Sequence, residues 1–177
     1  MSHYLVFDVG IKNLSFIDFT FDKSNYCLNR WECVSIVNSD VPLKKIGIGG
    51  LTDAMLECLG KYFTEDEKWK GGIYIENQPA SLNGMMKTLS VVIYTFFKMR
   101  QKNVFFMNAC NKLKCERAKL VAKTKMTYTE RKKLAIRLAL EYIEDIVPEK
   151  KDWFVKLKKA DDYADTLLYS MYIIENL

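Results

Sequence analysis

Three groups of carboxylates punctuate this chain at positions where they could do chemistry. Asp8 closes the apolar run Tyr4-Leu5-Val6-Phe7, and Glu76 closes Ile73-Tyr74-Ile75. Asp161, Asp162 and Asp165 fall within five residues at the start of an apolar stretch with helical spacing. Residues three and four apart share a helix face, so Asp165 sits beside Asp161, beside Asp162, or between them. Carboxylates held this close repel one another and raise each other's pKa unless cations intervene. Two readings compete: an exposed helix start, where Asp is favoured, or a divalent metal site. The cluster alone does not choose between them.

Other catalytic chemistries lack their parts. His3 is the one histidine in 177 residues, and Cys27, Cys33, Cys58, Cys110 and Cys115 show no CxxC spacing. A zinc site and a histidine-activated nucleophile are therefore not expected. Any catalysis must rest on carboxylates, lysines or metals. The odd cysteine set reads as the reduced, packing thiols of an intracellular protein. No apolar run approaches the roughly 20 residues of a membrane span, so no membrane association is expected. The first residues lack the charged segment and cleavage site of a secretory signal.

A net charge of +5 hides a segregation. Lys98 to Lys133 holds twelve basic and two acidic residues, against fifteen basic and twenty acidic in the remainder. An acidic-leaning body thus carries one strongly basic segment, which favours a polyanionic partner over a merely solvated face. Lys112, Lys114, Arg117, Lys119, Lys123, Lys125, Arg131 and Lys133 are its candidates for contact with a nucleic-acid backbone.

The elements that must position these groups follow from periodicity. Tyr4–Val9, Leu14–Phe21 and Cys27–Val37 read as strands joined by short turns, an antiparallel meander. Residues 38–50, with Pro42 and three glycines, read as a loop, and Leu51–Phe63 as an amphipathic helix. A strand at Ile73–Glu76, a long apolar helix over 84–101 and a strand at Val104–Met107 come next. The basic residues before Thr127 make a poor core element, read as a loop or irregular helix. Thr127 and Glu130 match a capping box opening a helix to about Ile146, ended by Pro148. Trp153 falls in a second charged loop, and the last helix covers about Asp161 to Glu175. The order β-β-β-α-β-α-β-α-α predicts one α/β domain over residues 1–177, a mixed five-stranded sheet flanked by helices.

If strands one and four are adjacent and parallel, Asp8 and Glu76 emerge at one sheet edge, where α/β proteins bind ligands. A last helix delivering Asp162 and Asp165 there assembles four carboxylates. That set suits two hard divalent cations such as Mg²⁺, with Mn²⁺ as a substitute. Two metals about 3.5–4 Å apart activate a water and stabilise the leaving oxygen of a phosphodiester. An acidic centre with a basic surround is what a metal-dependent nuclease needs.

The motifs resemble those of the RuvC-like Holliday junction resolvases, in particular the poxvirus type and its relatives in large DNA viruses. Phe7-Asp8-Val9-Gly10-Ile11-Lys12-Asn13 is similar to that group's first-strand motif, with its acid at Asp8. Ile75-Glu76-Asn77-Gln78-Pro79 resembles its Glu-x-Gln-Pro motif. Asp161-Asp162-Tyr163-Ala164-Asp165 resembles its terminal Asp-Asp-x-Ala-Asp motif, and Thr127 to Lys133 the helix start carrying a catalytic lysine. The resemblance spans residues 4 to 170. It implies an RNase H-like fold, a homodimer, and Mg²⁺-dependent symmetric nicking of four-way DNA junctions. The implied catalytic set is Asp8, Glu76, Lys132, Asp162 and Asp165, with the four acids as metal ligands.

Helical geometry orders the lysines. With the helix core centred near residue 135, Lys132 lies about 60° away and Lys133 about 160°, at about 100° per residue. Lys132 can lean toward the site while Lys133 points outward. The same reasoning does not select Asp162 over Asp161. The family motif does, leaving Asp161 as an N-cap with a supporting role beside the ligands. Other RNase H-like nucleases of RNA–DNA hybrids or branched DNA, and a non-catalytic resolvase-like binding module, share parts of this pattern. Retention of all four acids argues against the last. An actin-like ATPase would need glycine-rich phosphate loops that this chain lacks.

Overall fold

β1 (Ser2–Val9), β2 (Asn13–Asp22) and β3 (Asn25–Ser35) form the expected antiparallel meander. The β1–β2 turn closes through Gly10 N–H donating to the Asn13 carbonyl at 3.0 Å. A Cβ on Gly10 would lie 2.7 Å from that oxygen, so the turn requires glycine. β4 (Gly72–Asn77) pairs parallel with β1, and β5 (Val104–Asn108) parallel with β4, giving the order β3-β2-β1-β4-β5. This computed structural model describes residues 1–23, 25–37, 42–64, 68–78, 84–121 and 125–177.

Strand alternation sorts the core into two layers. Leu5, Phe7, Leu14, Phe16, Ile73 and Ile75 pack under α1 (Leu43–Tyr62) and α2 (Gly84–Met99). Tyr4, Val6, Ile17, Phe19 and Trp31 face the opposite layer. That layer holds α3 (Glu116–Val121), α4 (Tyr128–Ile146), α5 (Lys151–Val155) and α6 (Ala160–Ile174). Among the described residues, no helix is long and apolar enough to cross a membrane.

Three local expectations need correction. Within the stretch read as a loop, helix α1 begins at Leu43 and is broken at Gly47, whose φ of +66° is open to glycine at little cost. Ile46 packs against the α1–α2 layer and anchors that first turn, which a glycine-rich composition concealed. Residues 38–41 of that stretch lie outside the described residues. The basic segment is, as read, irregular, a 3₁₀ turn (Ala109–Leu113) and the short α3, but it contributes to the core through Cys115 and Ala118, which are fully buried. Trp153 lies in α5 rather than a loop, because Phe154 stacks on Trp31 at 5.6 Å and Trp153 packs on Trp31 and Tyr163.

A bulge in β3 builds one polar cluster inside the α1–α2 layer. Asp18 pairs with Arg30 and Phe19 with Leu28, leaving Asn29 as the extra residue. Asn29 then donates to Asp18 at 3.0 Å, while Arg30 Nε and Nη2 donate to Oδ2 at 3.1 and 2.6 Å. Trp69 Nε1 donates to the same oxygen at 3.4 Å, and His3 Nε2 lies 2.5 Å from Oδ1. Asp18, 1% exposed, is thus a buried carboxylate with every partner supplied. Asp18→Ala would remove the acceptor of Arg30 Nε and Nη2 while Nη1 keeps the Tyr62 carbonyl, so a loss of about 1.5–3 kcal/mol in denaturant unfolding is expected. A loss below about 1 kcal/mol would show that the cluster does not hold β3 to the sheet.

Candidate active site

Pairing register alone sets one row of side chains across the sheet, on the face that α6 covers. Asp8 lies opposite Ser15, Ser15 opposite Cys33, and Glu76 opposite Met107. The parallel β1–β4 register runs to Phe7 beside Ile75, so the next residues, Asp8 and Glu76, emerge together. The two carboxyl groups act on one another, and Glu76 raises the Asp8 pKa. This is the sheet-edge juxtaposition expected from the strand order.

Helix α6 supplies the other acids. It is buried nearly all round, at Ala164, Thr166, Leu167, Leu168, Tyr169, Ser170, Met171 and Ile173, so its start is rigidly aimed. Asp162 and Asp165 line one cleft of about 730 Å³ with Asp8, Glu76 and Asp161. The Cys33 thiol donates to Asp162 Oδ2 across 3.8 Å, and Lys112 forms an ion pair with Asp165 Oδ2. Asp161 does not cap the helix. The helix starts at Ala160, so the N-cap position is Lys159, without a side-chain cap bond, and Asp161 stands in the first turn, paired with Lys132.

Proton affinities follow from crowding. Burial first, then the hydrogen bond and charge of Glu76, then the charge of Asp165, raise the Asp8 pKa well above the carboxylate range. Burial lifts Asp165 to about 6 against the opposing pull of Lys112. Burial and the Asp161 charge raise Asp162. Burial also acts upward on Asp161, but the bond and charge of Lys132 outweigh it and leave that group below its usual value. Burial and Asp162 push the Cys33 thiol up to about 12, so it stays a neutral donor.

The rim is set by α4. Thr127 Oγ1 accepts from Glu130 N–H at 3.2 Å and Glu130 Oε2 accepts from Thr127 N–H at 2.7 Å, the expected capping box. This fixes the first turn of α4 at the cleft, where Tyr128, Arg131 and Lys132 line it. The Lys132 ammonium lies 4.9 Å from the Tyr128 ring centroid as well as on Asp161. Lys133 points to solvent.

The remaining basic candidates scatter. Lys112 lies inside the site, whereas Lys114, Lys119 and Lys125 are exposed. Arg117 is held by Asp145 and, at 3.9 Å, by Glu141, over the Tyr142 ring. Lys123, like Pro79 of the Glu76 motif, lies outside the described residues. Cys33, Tyr169, Lys12 and Lys159 are site residues that sequence reasoning missed. Tyr169 is fully buried and donates its hydroxyl to the Ala109 carbonyl at 3.1 Å; burial, then the charges of Glu76, Asp8 and Asp165, raise its pKa. Its place four residues after Asp165 and seven after Asp162 was a readable helical signal. Nothing local flags Cys33 or the inward turn of Lys112.

The donor set suits hard divalent cations. Its candidate donors are carboxylate oxygens, without histidine. Glu76, 2% exposed, keeps Oε2 buried with no hydrogen-bond partner, an atom that a cation would satisfy. Among the described residues, no three His, Cys, Asp or Glu side chains stand placed to hold a metal ion together. Asp165 is taken by Lys112 and Asp162 by Cys33.

These shifts fix a sign. Asp8 and Asp165 hold protons more tightly folded than unfolded, so their contribution to stability is greatest at low pH. It falls as pH rises from the unfolded carboxylate value near 4 through about 6 for Asp165, with Asp8 shifted in the same direction. The metal-free melting temperature is expected to drop across that window, and less so in Asp165→Asn. Equal pH profiles for the two proteins would contradict the assignment.

No protein-family model matches the sequence, and no curated protein does. Solved structures match along the whole chain. The Fowlpox virus resolvase in complex with substrate Holliday junction DNA aligns with a TM-score of 0.68 at 19% identity, covering 99% of both chains. The Fowlpox virus Holliday junction resolvase on its own aligns at 0.65 and 19%, covering 98% of both. RuvC of T. thermophilus in complex with a Holliday junction substrate aligns at 0.56 and 13%, covering 99% of this chain and 97% of that one. This chain therefore has the RNase H-like fold in the form shared by the poxvirus and RuvC Holliday junction resolvases.

Proposed function

We propose that this chain is a divalent-metal-dependent endonuclease that resolves four-way DNA junctions by paired nicks, working as a homodimer. The observation that carries the reading is one cleft in which acids from β1, β4 and α6 converge beneath a basic helix start. Full-length likeness to structures described as junction resolvases supports the same substrate.

Asp8, Glu76, Asp162 and Asp165 would hold Mg²⁺, with Mn²⁺ as a substitute. When bound, the metal would supply water activation and stabilisation of the leaving oxygen. The chain's own groups do the rest. Lys132, on the rim, presents its ammonium to the charge developing on the phosphate, and Asp161 with the Tyr128 ring positions it. Lys114, Lys119, Lys125, Arg131 and Lys133 offer exposed charge to the DNA backbone. Cutting two strands symmetrically needs two sites related by a two-fold axis. The α2 helix spends its main apolar face inside the monomer, at Leu89, Ile93, Phe96 and Phe97. Met85, Val91 and Met99 on α2, with Phe105 and Phe106 on edge strand β5, remain as apolar surface for a second copy.

Purified protein incubated with a synthetic four-way junction and Mg²⁺ is expected to place paired nicks on opposing strands, and Asp8→Asn to place none. Preference for RNA–DNA hybrid would move the assignment to another RNase H-like nuclease, and binding without cleavage to a recognition module. Lys132→Ala is expected to lower the single-turnover rate about 100-fold or more with junction affinity changed far less. An unchanged rate would remove the lysine from the chemistry. Asp161→Asn is expected to retain more activity than Asp162→Asn, and the reverse order would exchange their roles.

A further inference from the structure

We propose that Lys112 is a built-in counter-cation, whose ammonium holds the acidic cleft together without metal and must leave Asp165 before a divalent cation can bind there. The proposal rests on the metal-site reading above.

The backbone of Lys112 is fastened on both sides. Tyr169 Oη donates to the Ala109 carbonyl at 3.1 Å, Lys114 N–H to the Asn111 carbonyl at 2.9 Å, and the Cys115 thiol to the Lys112 carbonyl at 3.6 Å. From this anchored turn the side chain reaches inward, and its ammonium pairs with Asp165 Oδ2, 5.7 Å from the Tyr169 ring centroid. It is 23% exposed and Asp165 20%, whereas Lys132 on the rim is 43% exposed. The charges of Asp8 and Glu76 act on the same ammonium. One positive charge therefore serves three carboxylates.

This arrangement accounts for the lack, among the described residues, of three acids placed to hold a metal together. A lone ammonium donates from one point to Asp165 and leaves Glu76 Oε2 without a partner. A divalent ion at the same place would neutralise more charge and reach several oxygens at once. Exchange of ammonium for metal leaves the fold in place, because the turn is held by bonds that do not involve the ammonium. The freed side chain then lies in the cleft rather than under it. Metal affinity in this chain is thus set partly by an internal competitor.

Two measurements test this. By calorimetry, Lys112→Met is expected to bind Mg²⁺ at least about fivefold tighter than wild type, with a lower metal-free melting temperature that Mg²⁺ restores. Equal or weaker Mg²⁺ binding by a folded variant would overturn the proposal. The wild-type protein gives an independent readout that needs no variant to fold. Reductive methylation followed by mass spectrometry should find Lys112 protected without metal and labelled with Mg²⁺, with exposed Lys119 as the internal reference. Wild type that binds Mg²⁺ with Lys112 equally protected overturns this proposal alone. Wild type that binds no divalent cation overturns it together with the metal-site reading.

Discussion

Carboxylates forced together out of water repel one another, and the architecture around this cleft fixes Asp8, Glu76, Asp162 and Asp165 there with Lys112 as the inward cation that offsets part of the repulsion. Asp8 and Glu76 could not separate without breaking the β1–β4 register. Asp162 and Asp165 could not withdraw without dislodging α6, which is buried on nearly every side. The cost falls on the whole core, whose apolar burial must exceed it.

The contrast with Asp18 makes the argument sharper. Asp18 and Asp8 lie on neighbouring strands and face opposite layers of one sheet. Asp18 receives a guanidinium, an amide, an indole N–H and an imidazole, and the bulge in β3 is spent on aiming two of them. Asp8 receives another carboxyl group. The chain can therefore satisfy a buried carboxylate completely where only stability is at stake. At Asp8 and Glu76 it does not, and incomplete satisfaction of a buried polar group marks function more reliably than the presence of acids does.

Much of this was legible in the chain. Alternation in the strands, the Thr127–Glu130 box and the apolar spacing of the helices set the sheet and its cover, and strand order alone brought Asp8 beside Glu76. Local pattern failed where partners are distant in sequence. The pairing of Lys112 with Asp165 spans 53 residues and that of Lys132 with Asp161 spans 29, and neither leaves a periodic trace. Asp161 looked like a helix cap because Asp is favoured there. It stands in the first turn instead, paired with a lysine from another helix. The N-terminal turn of α1 and helix α5 were hidden for the same reason, since Ile46 and Trp153 owe their structure to the layers they pack on.

The basic segment shows why summed charge is a poor map of a binding surface. Its residues divide by partner. Lys112 neutralises the interior, Arg117 ties α3 to the acidic end of α4, Lys132 is poised between rim and cleft, and the others face solvent. Only the last group can contribute fully to counterion release on a polyanion. The others act at short range, where position matters more than number. Lys132 at the cleft mouth and Lys112 beneath it are chemically identical, yet the capping box fixes one and the Ala109–Leu113 turn the other. Backbone geometry, not residue type, thus decides which ammonium stands at the cleft mouth on Asp161 and which one pairs with Asp165 inside it.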